Sequence, residues 1–180
     1  SISEYGQLLH TAALLDERAG SDGWWDKGKA ALGRVAGYLT LLHREAAAGG
    51  GLIAGAPEAD ERAKVAVYFH NNAWASEGLS RWAALCERHG EPESEAQEVA
   101  QALADSTLTA IDRAWPEDEV DWWLAPRIEP LDRPAHLTDT RDASYTNYRY
   151  WPELLSSGLL PDELANRIVD ARLVAGGQFC

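Results

Sequence analysis

Tyr68-Phe69-His70-Asn71-Asn72-Ala73-Trp74-Ala75-Ser76-Glu77-Gly78-Leu79-Ser80-Arg81-Trp82-Ala83-Ala84-Leu85-Cys86-Glu87-Arg88-His89-Gly90-Glu91-Pro92 is the stretch on which the reading of the fold turns. Ala75, Leu79, Trp82, Leu85 and Cys86 recur three and four positions apart, which is one face of an α-helix. Asn71 or Asn72 offers a side-chain oxygen to the free N–H groups of a first turn, so a helix is expected to start there. His89-Gly90 ends it. Glu91-Pro92 opens a second helix, because proline in a first turn gives up only an N–H that has no helical partner. Its stripe is Ala96, Val99, Leu103, Thr107 and Ile111, and Trp115-Pro116 terminates it. Two helices joined by so short a turn make an antiparallel hairpin.

The same grammar reads outward in both directions. Towards the N-terminus, Tyr5, Leu8, Leu9, Ala12 and Leu15 mark a helix from Glu4 to Ala19, stopped by Gly20. A second follows from about Trp24 to Ala48, with Gly28, Leu32, Val35, Leu39 and Leu42 on one face and Gly49-Gly50-Gly51 at its end. Towards the C-terminus, a less regular segment spans about Tyr145 to Ser157, and Pro152 inside it predicts a break near Trp151. The last helix opens at Pro161-Asp162-Glu163, buries Leu164, Ile168 and Leu173, and stops at Gly176-Gly177.

The expected fold is therefore all-α: three antiparallel αα-hairpins over about 4–48, 72–115 and 145–175. Loops within the hairpins are about four residues long, and those between them about 20 to 30. In an up-down series both long loops then fall on one end of the helix array. Long loops on a rigid scaffold are where function concentrates, so that end is the expected functional face.

Composition narrows the classes of function. The 180 residues carry 16 Lys+Arg against 29 Asp+Glu, a formal net charge of −13. No cluster of cations is present to meet a phosphate backbone or an anionic membrane surface, so neither nucleic acid nor membrane is an expected partner. No apolar run reaches the roughly 20 residues of a membrane span, and Ser1-Ile2-Ser3-Glu4-Tyr5 has neither the basic head nor the apolar stretch of a signal peptide. Cys86 and Cys180 make no disulfide framework or zinc spacing, which points to free thiols in a reducing, cytoplasmic setting. Neither a metal nor a cofactor is expected.

What stands out is tryptophan, eight in 180 residues. Trp82 and Trp115 lie on helical stripes and read as core. Trp74, Trp122, Trp123 and Trp151 lie in or beside the long loops with Tyr68, Phe69, Tyr145, Tyr148 and Tyr150. Carboxylates accompany them, in Glu117-Asp118-Glu119-Val120-Asp121 and at Asp139 and Asp142. Rings interleaved with carboxylates and amides suit a neutral saccharide, whose faces pack on aromatics while its hydroxyls pair with polar groups. The expected catalytic pair is Asp121 and Asp142, one protonated and one charged as glycoside hydrolysis demands. Arg141 or Arg149 would hold one of them ionised. Asn71, Asn72, Trp74, Trp122, Tyr145, Tyr148 and Arg149 are the expected substrate-binding residues. His70 and His136 lie in the same loops.

The run from Tyr68 to Gly90 resembles a hairpin of the six-hairpin glycosidases, the (α/α)6-toroid enzymes that include glucoamylase-like and trehalase-like proteins. There an aromatic and amide-bearing loop enters an inner helix carrying a Gly-Leu pair and an Ala/Leu-rich stripe. Asp142-Ala143-Ser144-Tyr145-Thr146-Asn147-Tyr148-Arg149-Tyr150-Trp151-Pro152-Glu153-Leu154 is similar in character to the entry of the next inner helix. The resemblance covers residues 65–115 most strongly and 140–177 more weakly. It implies a carbohydrate-active protein, with this chain as the N-terminal part of a larger toroid, since three hairpins are half of six. A missing C-terminal half or a second chain is accordingly an expected partner. No residue role carries over from a catalytic motif of that family.

Other chemistries find no foothold. Asn72 and Ser76 fit the first two positions of a terpenoid-synthase metal triad, but position 80 is Ser where Glu is needed. Phosphate-binding, nucleophile-elbow and zinc-protease motifs do not occur. The alternative reading is a non-catalytic helical scaffold or protein-interaction module, which explains antiparallel hairpins without chemistry.

Overall fold

A computed structural model describes residues 1–19, 23–57, 64–114, 123–129 and 140–174. Their order is α1 (Ile2–Ala19), α2 (Trp24–Glu45), a 3-10 turn (Ala47–Gly49), α3 (Phe69–Arg88), α4 (Ser94–Ala114), α5 (Arg141–Tyr145), a π turn (Thr146–Tyr150), α6 (Trp151–Ser156) and α7 (Asp162–Val174). The fold is all-α. Among the described residues, β-structure is limited to two isolated bridges, Gly55 with Ala66 and Tyr68 with Arg127.

Three elements differ instructively from expectation. Helix α3 starts at Phe69 rather than at an asparagine, and its N-cap Tyr68 makes no side-chain cap. The Phe69 N–H donates instead to the carbonyl of Pro126, 3.0 Å away in the other long loop. The break expected at Pro152 is a π turn: Pro152 has no N–H to offer, and the Trp151 N–H reaches back five residues to Thr146. Finally, α1 packs principally on α3 and not on its hairpin partner α2.

The α1–α3 pair is parallel, as its contacts advance together along both helices: Ser3 to Asn71, His10 to Glu77, Asp16 to His89. Small residues set the approach. A Cβ on Gly6 would lie 1.9 Å from the Trp74 carbonyl oxygen, and one on Gly78 would lie 2.5 Å from the Cα of Gly6. Around this crossing Leu9, Leu39, Leu79, Leu85 and Leu103 are fully buried, with Leu32 partly buried at the rim. A second core gathers Phe69, Ile111, Trp123, Leu124, Trp151 and Ile168. At the short-loop end Trp25 stacks on His89 at 4.2 Å and leans on Trp82. Helix α3 ends there as its sequence predicts, with Gly90 at φ 73° and the Glu91 N–H on the Cys86 carbonyl.

Candidate functional site

Both long loops converge on the N-terminal end of α3. Asn72 binds one of them: its Oδ1 accepts from the Ile53 N–H at 2.8 Å, and its Nδ2 donates to the carbonyls of Ile53 and Tyr68. Asn71 accepts from the Ser3 N–H and donates to the Ala56 carbonyl. Both amides are buried and spend their polar atoms on backbone. The second loop adds Ile128 N–H to the Val67 carbonyl, and Trp151 Nε1–H to the Leu124 carbonyl.

Under these loops lies a layer of buried aromatic and ionisable side chains. His70 stacks on Tyr150 with ring centroids 4.9 Å apart and planes 4° from parallel, and Tyr68 sits 5.5 Å from each. His70 Nε2 donates to the Pro57 carbonyl at 3.1 Å. A carbonyl only accepts, so Nε2 carries the hydrogen and Nδ1 is a bare acceptor, buried and without a partner among the described residues. Burial holds the imidazole pKa down to about 4, against the pull of the Pro57 carbonyl, and the Arg149 charge lowers it further. Glu153 Oε2 lies 3.9 Å from His70 Nε2. Burial raises the Glu153 carboxyl above its ordinary range, opposed by Arg149, whose Nε donates to Oε1 at 2.9 Å. Arg127, 4% exposed, lies over the Tyr68 ring and brings Nη1 within 3.9 Å of Asp142 Oδ2. Tyr68 Oη, Arg127 Nε and Glu153 Oε2 are also buried without hydrogen-bond partners among the described residues.

Of the residues nominated from sequence, Asp142, Tyr145, Tyr148 and Arg149 fall on one helical run at this end. Asp142 is part-exposed beside Arg127, and the Tyr145 and Tyr148 rings meet at 4.9 Å with Tyr148 50% exposed. Trp74 is buried, with Nε1–H on the Glu153 carbonyl and an edge against His10. Trp123 and Trp151 are likewise core. Asp121, Trp122 and His136 lie outside the described residues.

Sequence reasoning passed over Glu153 and Arg127. Glu153 stands four residues after Arg149, a spacing that announces the ion pair; its burial is tertiary and has no local signature. Arg127 had only its place between Pro126 and Ile128 to mark it. Among the described residues no group of three His, Cys, Asp or Glu side chains is placed to hold a metal ion. No described helix is long and apolar enough to cross a membrane. No protein-family model, curated protein or solved structure matches the chain.

Proposed function

We propose that this chain is a carbohydrate-active protein of the glycoside-hydrolase type that takes a neutral saccharide at the loop end of α3. One observation carries the reading: Asp142 stands part-exposed beside the buried Arg127 guanidinium, on the same helical run as the Tyr145 and Tyr148 rings. A carboxylate next to a fixed positive charge is suited to the ionised member of an acid pair, and the rings to a sugar face. Glu153 is not its partner. Eleven positions along one helical run separate the two by roughly 16 Å at about 1.5 Å per residue, beyond the about 5–9.5 Å that flanks a glycosidic bond. Asp121 remains the nominated second acid. A further chain or a second half of the protein belongs to this reading, supported by the exposed Tyr5, Leu8, Leu15, Tyr38 and Leu41 on α1 and α2. A cytoplasmic setting belongs to it as well, supported by the free thiol of Cys86.

The test is a panel of neutral disaccharides, followed by tryptophan fluorescence and by release of monosaccharide. Asp142→Asn should abolish release while a fluorescence response persists. No response to any sugar leaves the scaffold reading in possession. That second reading has its own support: Asn71, Asn72, Trp74, Trp123 and Trp151, all in or beside the long loops, are consumed in holding the structure together.

A further inference from the structure

Helix α1 carries two apolar stripes. One, formed by Ile2, Gly6, Leu9 and Ala13, is buried on the side that meets α3. The other runs Tyr5, Leu8, Ala12, Leu15 and Ala19 in alternating steps of three and four, the spacing of a seam between two helices. Tyr5, Leu8, Leu15 and Ala19 are exposed, and Ala12 is half-buried. We infer that this second stripe is the contact surface for a second copy of the same chain, the two α1 helices lying antiparallel across a twofold axis near Ala12. The further chain of the saccharide reading is thereby a second copy, but nothing in the inference draws on the residues nominated to bind or cleave a sugar.

The stripe is close to its own reverse, as a contact between identical patches requires. Turning α1 end for end about Ala12 sets Leu8 opposite the partner's Leu15 and Tyr5 opposite the partner's Ala19. Ala12 then faces its own copy, so the axis is occupied by small side chains and the helices can approach closely. Charge follows the same reversal. Glu4 and Arg18 border the stripe seven positions either side of Thr11, and both are exposed. Among the described residues Glu4 meets the Ser1 amino group and Arg18 meets no acid. Antiparallel pairing places each beside its opposite in the partner; parallel pairing would place like charges together. The chain as a whole carries −13 and repels its copies over most of its surface, whereas here one acid and one base balance. On α2, Arg34 and Glu45 border Tyr38 and Leu41, again one of each sign.

The exposed area is of the size a stable dimer needs. The Tyr5 ring meets Tyr38 edge-on at 5.6 Å, which joins the α1 stripe to the apolar side of α2. Tyr5, Leu8, Leu15, Tyr38 and Leu41 are each 41–54% exposed. At roughly 200 Å² a side chain they lay open on the order of 450 Å² of apolar surface. A standard interface buries about 800 Å² per partner, a little over half of it apolar.

Sedimentation velocity of the whole chain, from low micromolar to several hundred micromolar, tests the assignment. A monomer–dimer equilibrium is the expected result. Leu8→Glu puts a charge into the seam on the side of α1 away from α3, and should leave a folded monomer at every concentration. Glu4→Arg and Arg18→Glu, made singly, should each weaken the dimer about fivefold or more, because two exposed ion pairs are lost per dimer. Made together they should restore association, with circular dichroism confirming that α1 keeps its helix despite the reversed charges in its end turns. A monomer at the highest concentration would overturn the assignment and give the face to an unlike partner. A dimer indifferent to Leu8→Glu, or single charge variants that the double variant does not rescue, would overturn it equally. The whole test is read without sugar, so its failure and that of the saccharide reading are separate results.

Discussion

The α1–α3 crossing and the layer beneath the loops are both buried, yet they are built on opposite terms. At the crossing, glycine lets two backbones touch, and aliphatic side chains that ask for no hydrogen bond fill the space around them. Under the loops, His70, Tyr68, Arg127 and Glu153 each keep a buried polar atom without a partner among the described residues. Each such atom costs about 1–3 kcal/mol, so this layer lowers stability that the crossing supplies. The contrast separates a part of the molecule that supplies stability from a part that gives some of it up.

The largest effect is expected at the crossing. Leu79 is completely buried, and Leu79→Ala should cost about 2–5 kcal/mol in urea unfolding; a loss under about 0.5 kcal/mol would remove it from the core. Gly6→Ala comes next. Its Cβ meets backbone rather than a flexible side chain, so the helices must part, and a loss of about 3 kcal/mol is expected. Retention of wild-type stability would show that α1 and α3 do not touch there.

The buried layer should reveal itself through acid. Its His70 has a pKa of about 4 when folded, below the value near 6.5 that it takes in the unfolded chain. Above pH 6.5 neither state binds the proton and nothing changes. Between 6.5 and 4 only the unfolded state binds it, so stability falls with falling pH, by about 3 kcal/mol in all. Glu153, raised by burial, works in the opposite sense, gaining its proton in the folded state first. His70→Gln, which keeps a donor for Pro57, should flatten the stability profile between pH 6.5 and 4. A profile as steep as wild type would place the titration elsewhere. The smallest effect sharpens the comparison from the crossing's side: Gly37 is exposed with nothing near its Cβ position, so Gly37→Ala should stabilise α2 by about 0.5–1 kcal/mol.

Periodicity made the helices readable, and the residues that escaped it explain what was not. Leu39, Leu79, Leu103, Ile111 and Ile168 stand on apolar stripes and are all buried. Asn71 and Asn72 have the chemistry of caps, and local sequence cannot tell that a loop arriving from residues 53–56 will claim their amides first. Trp74, Trp123 and Trp151 look like loop aromatics on offer to a ligand; they are core because the loops fold back over α3. Pro152 signals a disturbed helix without saying whether the chain bends or widens by one residue. The site itself was legible only as a region. Asp142, Tyr145, Tyr148 and Arg149 share one run of chain, whereas Glu153 and Arg127 enter through contacts between elements distant in sequence.

The preference of α1 for α3 over α2 also sets an order of events during folding. The first helix cannot find its main surface until roughly fifty further residues have been joined to it and α3 has formed, and closing that loop carries an entropic cost that neighbouring helices avoid. Many of its contacts are therefore far apart along the chain, which slows folding relative to a bundle whose helices pack on their immediate successors. During synthesis the α1–α2 hairpin emerges with Leu9 and Ala13 uncovered. It waits in that state for the helix that will bury them.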